Sequence, residues 1–204
     1  MDPRPASTMV VARPGVEVLV VRRSAVSRFA PGFVVFPGGV VEDQDAVLAE
    51  RWFGSRDETA RACGVRELAE ETGLVMTRGG LIEGPGRLPG DDGLGPPSIG
   101  DLPEMARWVA PEFLPVRFDA RFFAIAAAHD LTPSPDPVEI EEVWWAAPAD
   151  ILRAAADGEF SLMWPTLRTL QALTECRSVD DVLALRVAAE PPPGLPFPPG
   201  MARP

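Results

Sequence analysis

The chain has 204 residues, 46% hydrophobic and 24% charged, the proportions of one ordinary folded domain. A formal net charge of −11 excludes general attraction to nucleic acid or to an anionic membrane surface. Every basic residue is Arg, which removes lysine-based chemistry, and two Cys with one His are too few for a disulfide framework or a zinc site.

Met9–Val11 and Val16–Val21 are valine-rich runs around Ala12-Arg13-Pro14-Gly15, which predicts a β-hairpin. Phe33–Phe36 is another short apolar run, closed by Pro37-Gly38-Gly39. From Asp57 to Thr72, Ala62, Val65, Leu68 and Ala69 recur at helical spacing. Asp57 and Glu58 stand in the first turn and Gly73 just past the end, so both boundaries are marked. Leu74–Ile82 predicts one strand, and the Pro- and Gly-rich stretch Glu83–Gly100 a loop or lid. Arg121–Ala128 and Val138–Trp145 predict strands on either side of a Pro-rich turn. Ala149–Ala156, Pro165–Cys176 and Val179–Val187 predict helices. One domain is expected over residues 7–188, followed by a disordered Pro-rich tail at 189–204. Residues 1–30 lack the apolar stretch of a signal peptide and no run approaches about 18 apolar residues, so a cytoplasmic protein without membrane contact is expected. Strands, a helix, then more strands and helices predict an α/β fold with a mixed sheet between helices.

The strongest chemical signal is Arg66-Glu67-Leu68-Ala69-Glu70-Glu71-Thr72-Gly73-Leu74. On a helix Glu67, Glu70 and Glu71 share one face. Three like charges there repel by a few tenths of a kcal/mol per pair, roughly 0.2–0.5. A hard cation, Mg²⁺ or Mn²⁺, turns the same arrangement into an oxygen ligand set that shares its remaining positions with water and phosphate. Arg66, four residues before Glu70, is spaced to hold a carboxylate by a forked contact. A solvated Glu/Arg helix face is the alternative reading of this spacing alone.

R-E-L-x-E-E-x-G-L, with Glu58 upstream of Arg66 across seven intervening residues and Gly38-Gly39 before it, resembles the Nudix box, G-x5-E-x7-R-E-U-x-E-E-x-G-U with U aliphatic. Between Gly39 and Glu58 lie 18 residues where the box has five, which implies a 13-residue insertion at about 40–57. Packing of that insertion is the expected role of Trp52 and Phe53. Interrupted boxes occur in a Nudix branch that includes coenzyme A (CoA) diphosphatases. A second motif, Leu19 through Arg23-Ser24, Arg28, Gly32 and Phe36-Pro37-Gly38-Gly39, resembles the upstream signature of those enzymes, L-L-T-x-R-[SA]-x3-R-x3-G-x3-F-P-G-G. Val20 and Val21 depart from it.

The resemblance implies a Nudix fold and metal-dependent hydrolysis of a diphosphate linkage. Mg²⁺ or Mn²⁺ is expected at Glu67, Glu70, Glu71 and the Gly38 carbonyl, with Arg66, Glu67 and Glu70 as the catalytic set. Arg23 and Arg28, in a cluster with Arg22, are expected to meet substrate phosphates; pairing with surface acids is the alternative. Glu58, nine positions before Glu67, is expected to have a helix-dipole role or to support the ligands from behind, with direct ligation as the alternative. One of Glu139, Glu141 and Glu142 is a candidate base or further ligand, against a solvated strand edge, and His129 is expected at a surface turn, with a base role as the alternative. Cys63 is expected in the core, and Trp144, Trp145 and Trp164 in the core or lining a pocket. CoA or acyl-CoA is the expected small-molecule substrate, giving 3′,5′-ADP and (acyl-)4′-phosphopantetheine. The alternatives are another nucleoside diphosphate derivative (ADP-ribose, NADH, a nucleotide sugar) or a non-catalytic nucleotide-sensing module. Homodimers are common in the family, but no stripe in this chain declares an interface.

Overall fold

Strict alternation along the valine-rich strands gives each face of the sheet its own core. In β1 (Arg4–Arg13), Met9 and Val11 face one cluster while Val10 and Ala12 face the other. The same division holds in β2 (Glu17–Arg23), where Leu19 opposes Val18 and Val20. It holds again in β8 (Phe118–Ala126), where Phe123 and Ile125 oppose Phe122 and Ala124. Strands buried on both faces must be apolar throughout, which is why these runs are nearly unbroken. The computed structural model describes residues 2–27, 29–90, 95–112, 114 and 116–188; Arg28 and the Pro-rich segment 189–204 lie outside the described residues.

β1 and β2 form the expected hairpin, with Ala12 opposite Val18 and Arg13 opposite Glu17. Beyond it β1 pairs in parallel with β8 from Arg4–Phe118 to Ala12–Ala126. The mixed sheet runs β3 (Val34–Val35), β2, β1, β8, β7 (Glu104–Val109), with β4 (Gly38–Val40) also on β1 and β9 (Ile140–Ala146) also on β2. β7 is an edge strand that the sequence reading did not assign. Leu74–Ile82 is not one strand but a separate hairpin, β5 (Leu74–Thr77) and β6 (Gly80–Glu83). The chain turns back at Arg78-Gly79, and Gly80 has φ +108°, a conformation that favours glycine.

Helices α1 (Asp43–Phe53) and α2 (Thr59–Thr72) cover one face through Ala49, Trp52, Ala62, Val65 and Leu68. Helices α3 (Pro148–Ala156), α4 (Trp164–Leu173) and α5 (Val179–Ala184) cover the other through Ile151, Leu170, Leu173 and Val182. The expected insertion is thus mainly a helix. α1 opens with reciprocal bonds between Glu42 and Asp45 and closes at Gly54 in the left-handed region. Trp52 fixes it from below by donating its indole N–H to the Pro89 carbonyl at 3.1 Å. α2 lies so close to β1 that a Cβ on Gly64 would fall 2.4 Å from the Met9 sulfur and 2.5 Å from the Ser7 hydroxyl. Only glycine permits that approach, and it sets the depth at which the glutamate-rich end of α2 is held.

Candidate functional site

The guanidinium of Arg66 is the hub of the glutamate-rich helix, and its side chain is 3% exposed. Its fork is spent on Asp45 of α1, with Nε donating to Oδ1 at 2.7 Å and Nη2 to Oδ2 at 3.0 Å. Nη1 then donates to Glu70 Oε2 at 2.7 Å and lies 2.9 Å from Glu67 Oε1. The expected single fork to Glu70 is therefore corrected: one cation spans three carboxylates. Asp45 went unnoticed in the sequence, yet five residues separate it from Gly39, the spacing that the box gives its first acid. Glu58, the acid assigned to that place, instead pairs with Arg61 at the start of α2. The extra residues follow the acid rather than precede it.

Glu67 lies against the Gly38-Gly39 turn. A Cβ on Gly39 would sit 2.3 Å from the Glu67 carboxyl carbon, so this position has no room for a side chain. Glu71 is buried and accepts the Gly38 N–H at 2.9 Å, with Arg23 Nη1 at 3.5 Å. The contact that Gly38 makes with the acid cluster is thus through its amide. Burial first, with Glu67 close by, pushes the Glu71 carboxyl up to about 8. Burial likewise pushes Glu67 up to about 7 against the lowering effect of Arg66. Glu70 is the accessible member of the three, its side chain 49% exposed. Cys63 is buried beneath them, and burial drives its thiol well above the ordinary range, so it is an inert core group as expected.

A Pro-rich strap ahead of β9 completes the site. The N–H of Ser134 donates to the Thr72 carbonyl at 2.7 Å and that of Asp136 to the Glu71 carbonyl at 3.2 Å. These bonds satisfy carbonyls that the last turn of α2 leaves without helical partners. They also register the strap to the helix, so that Asp136 and Glu139 join Glu42, Arg66, Glu67, Glu70 and Glu71 around one pocket of about 200 Å³. Of the three candidate acids near β9, only Glu139 lines it; Glu142 turns to Arg22 at 3.8 Å. His129 is exposed, and its carbonyl accepts from Arg13.

Neighbouring arginines separate because β2 alternates. Arg23 points to the acid cluster and also donates Nε to the Phe29 carbonyl at 3.1 Å. Arg22 points to the opposite core, with its guanidinium 5.9 Å from the Trp144 ring centre and 5.7 Å from that of Phe160. Trp145 lies under Arg13, and Trp164 packs against the core on the α4 side. None of these three tryptophans lines the acidic pocket.

The six carboxyl groups that line the pocket are hard oxygen donors with Arg66 and Arg23 beside them, and burial first, then neighbouring carboxylates, keeps Glu67 and Glu71 raised. That donor chemistry fits Mg²⁺ or Mn²⁺. As the side chains lie, no three His, Cys, Asp or Glu among the described residues form a ready cage. Arg66 bridges Glu67 and Glu70, and the Gly38 amide holds Glu71. A cation held by Glu67, Glu70 and Glu71 would have to share these carboxylates with Arg66 and the Gly38 amide.

The model of the NUDIX domain matches residues 2–167. The solved NUDIX hydrolase of Alicyclobacillus acidocaldarius is 31% identical with a TM-score of 0.79, over 92% of this chain and 99% of that one. A curated Caenorhabditis elegans protein named "Putative nudix hydrolase 7" is 27% identical over 194 residues, 86% of this chain and 61% of that protein. The chain therefore spans about three-fifths of that curated relative's length. The NUDIX domain of Shewanella oneidensis NrtR, solved with ADP ribose, shares the fold at 15% identity and a TM-score of 0.55, over 86% of this chain and 88% of that one.

Proposed function

Because this chain belongs to the Nudix family, we propose that it is a metal-dependent hydrolase of diphosphate linkages whose substrate is CoA or an acyl-CoA. The observation that supports hydrolysis most is the clamp of Arg66 on Asp45, Glu67 and Glu70 beside a pocket lined by six acids. In this reading Glu67, Glu70 and Glu71 hold Mg²⁺ or Mn²⁺. The ion supplies neutralisation of phosphate oxygens and acidification of a water. Arg66 stays protonated between its carboxylates and fixes their orientation. Glu139, whose side chain is exposed at the pocket rim, is the proton acceptor for the attacking water. Water attacks one phosphorus in line, the P–O bond on the far side breaks, and the proton leaves to Glu139, with no covalent enzyme intermediate.

The CoA assignment rests on the motif through residues 19–39, of which Arg23 reaches the acid cluster. Its test is product analysis by mass spectrometry with Mn²⁺ and CoA, acetyl-CoA, dephospho-CoA, ADP-ribose and NADH, with Glu70→Gln as control. Appearance of 3′,5′-ADP and phosphopantetheine only with active protein supports the reading. Cleavage of ADP-ribose or NADH instead retains the hydrolase and overturns the substrate. Retention of nucleotide without turnover favours a sensing module.

A further inference from the structure

Val26, at 82%, and Val138, at 72%, are the two most exposed large apolar side chains among the described residues. Single valines scattered over a surface are ordinary. These two are tied to one rim. The Ser24 N–H and the Ser27 hydroxyl, on either side of Val26, both donate to the Glu139 carbonyl, at 2.9 and 3.5 Å. Val138 directly precedes Glu139, whose side chain lines the acidic pocket. Each valine is also held locally: Ser27 N–H closes the turn onto the Ser24 carbonyl at 3.0 Å, and Val138 N–H donates to Asp136 Oδ1 at 2.9 Å.

We propose that Val26 and Val138 form an apolar lip that receives the aliphatic arm of the substrate, and so select diphosphates bearing an acyl chain. The proposal rests on the CoA reading. A diphosphate seated among the carboxylates leaves the groups it joins to run out over the rim. A chain laid across both valines removes apolar surface from water, while the hydroxyls of a sugar gain nothing there. Both valines are tied to Glu139, Val138 by the chain and Val26 through the bonds of Ser24 and Ser27 to its carbonyl, and Glu139 itself lines the pocket; that link is what commits them to the same ligand rather than to a separate partner.

Steady-state kinetics with Mn²⁺ on decanoyl-CoA and CoA tests this. The proteins are the wild type, the double variant Val26→Ser/Val138→Ser, and Val109→Ser on the edge strand as control. The wild type is expected to show a lower KM for decanoyl-CoA, and the double variant to lose that preference by roughly tenfold in the KM ratio, about 1.4 kcal/mol. Val109→Ser keeps the wild-type ratio. Circular dichroism verifies the fold of the double variant, and if it fails to fold, Val138→Thr alone is expected to show a smaller loss in the same direction. A ratio that is unchanged in the folded variants overturns the lip. A wild-type dimer that the double variant converts to monomer also overturns it, by making the valines an interface between copies. Failure of the underlying reading looks different: the wild type then cleaves ADP-ribose and neither CoA form, and the lip falls with it.

Discussion

Asp45 meets Arg66 through both carboxylate oxygens, at 2.7 and 3.0 Å, and neither side chain is more than 3% exposed. The pair joins the first turn of α1 to the middle of α2 and leaves Nη1 of the arginine to align Glu67 and Glu70. Removing Asp45 would take the carboxylate from Nε and Nη2 of a buried guanidinium and leave only Nη1 paired with carboxylates, a loss of about 3 kcal/mol. For a chain of this size that corresponds to a fall in Tm of about 6–12 °C for Asp45→Ala. Metal-dependent turnover is expected to drop at least about tenfold, because Glu67 and Glu70 lose their alignment. Calorimetry and kcat on the same preparation check both. Glu58→Gln, which disturbs only the partly exposed pair with Arg61, is expected to cost less than about 1 kcal/mol and to leave kcat within threefold.

Gly39→Ala tests the other side of Glu67. The new methyl would fall 2.3 Å from the Glu67 carboxyl carbon, so the acid is forced out of its place. Overpacking of this kind costs about 1–3 kcal/mol. The larger effect is expected in metal affinity, measured by Mn²⁺ titration: at least about tenfold weaker. Binding at wild-type strength would show that Glu67 is not needed for the ion.

The acid cluster makes stability depend on both pH and metal. Glu67 and Glu71 hold their protons up to about 7 and 8 in the fold, against about 4.5 when unfolded. Across that window the folded chain carries more protons than the unfolded one, so the contribution is fully present below about pH 4.5 and is lost as pH rises towards 8. Without metal, the part of Tm set by these groups is expected to decline from pH 5 to pH 8. With millimolar Mn²⁺ the decline should be reduced or reversed, since deprotonation then favours the bound state. Calorimetry at several pH values, with EDTA or with Mn²⁺, reads the difference. A Tm profile unaffected by Mn²⁺ argues against an ion at these carboxylates.

Among the acids of the strap and β9, Glu139→Gln is expected to lower kcat by about 10²-fold or more with little change in Mn²⁺ affinity, as befits a proton acceptor. Glu142→Gln, which removes only the partner of Arg22, should leave kcat within a few-fold. Equal effects from the two substitutions would remove Glu139 from the reaction.

The glutamate-rich helix was legible because its information is local. The i, i+3, i+4 spacing puts Glu67, Glu70 and Glu71 on one face, and Gly73 ends the helix whatever surrounds it. Valine-rich runs on either side of Pro14-Gly15 likewise predicted the β1–β2 hairpin, although Leu74–Ile82 also reads as one apolar run, where Arg78-Gly79 reverses the chain. Contacts between distant segments were not legible. The choice of Asp45 over Glu58 for Arg66 depends on α1 folding back against α2, and a carboxylate is recognised only when it arrives. Glu139 was selected over Glu141 and Glu142 by amides of the strap bonding to the last carbonyls of α2, a register that no single-segment pattern encodes. Arg22 and Arg23 are chemically alike and adjacent, yet β2 sends one against the contacting rings of Trp144 and Phe160 and the other to Glu71. The sequence by itself determined which acids share a helix face, because residue type and helical spacing settle that, and the likeness of that segment to the Nudix box supplied the metal reading. The tertiary structure decided which copies of that chemistry meet, because a contact between residues far apart in sequence exists only once the packed sheet and helices hold both ends.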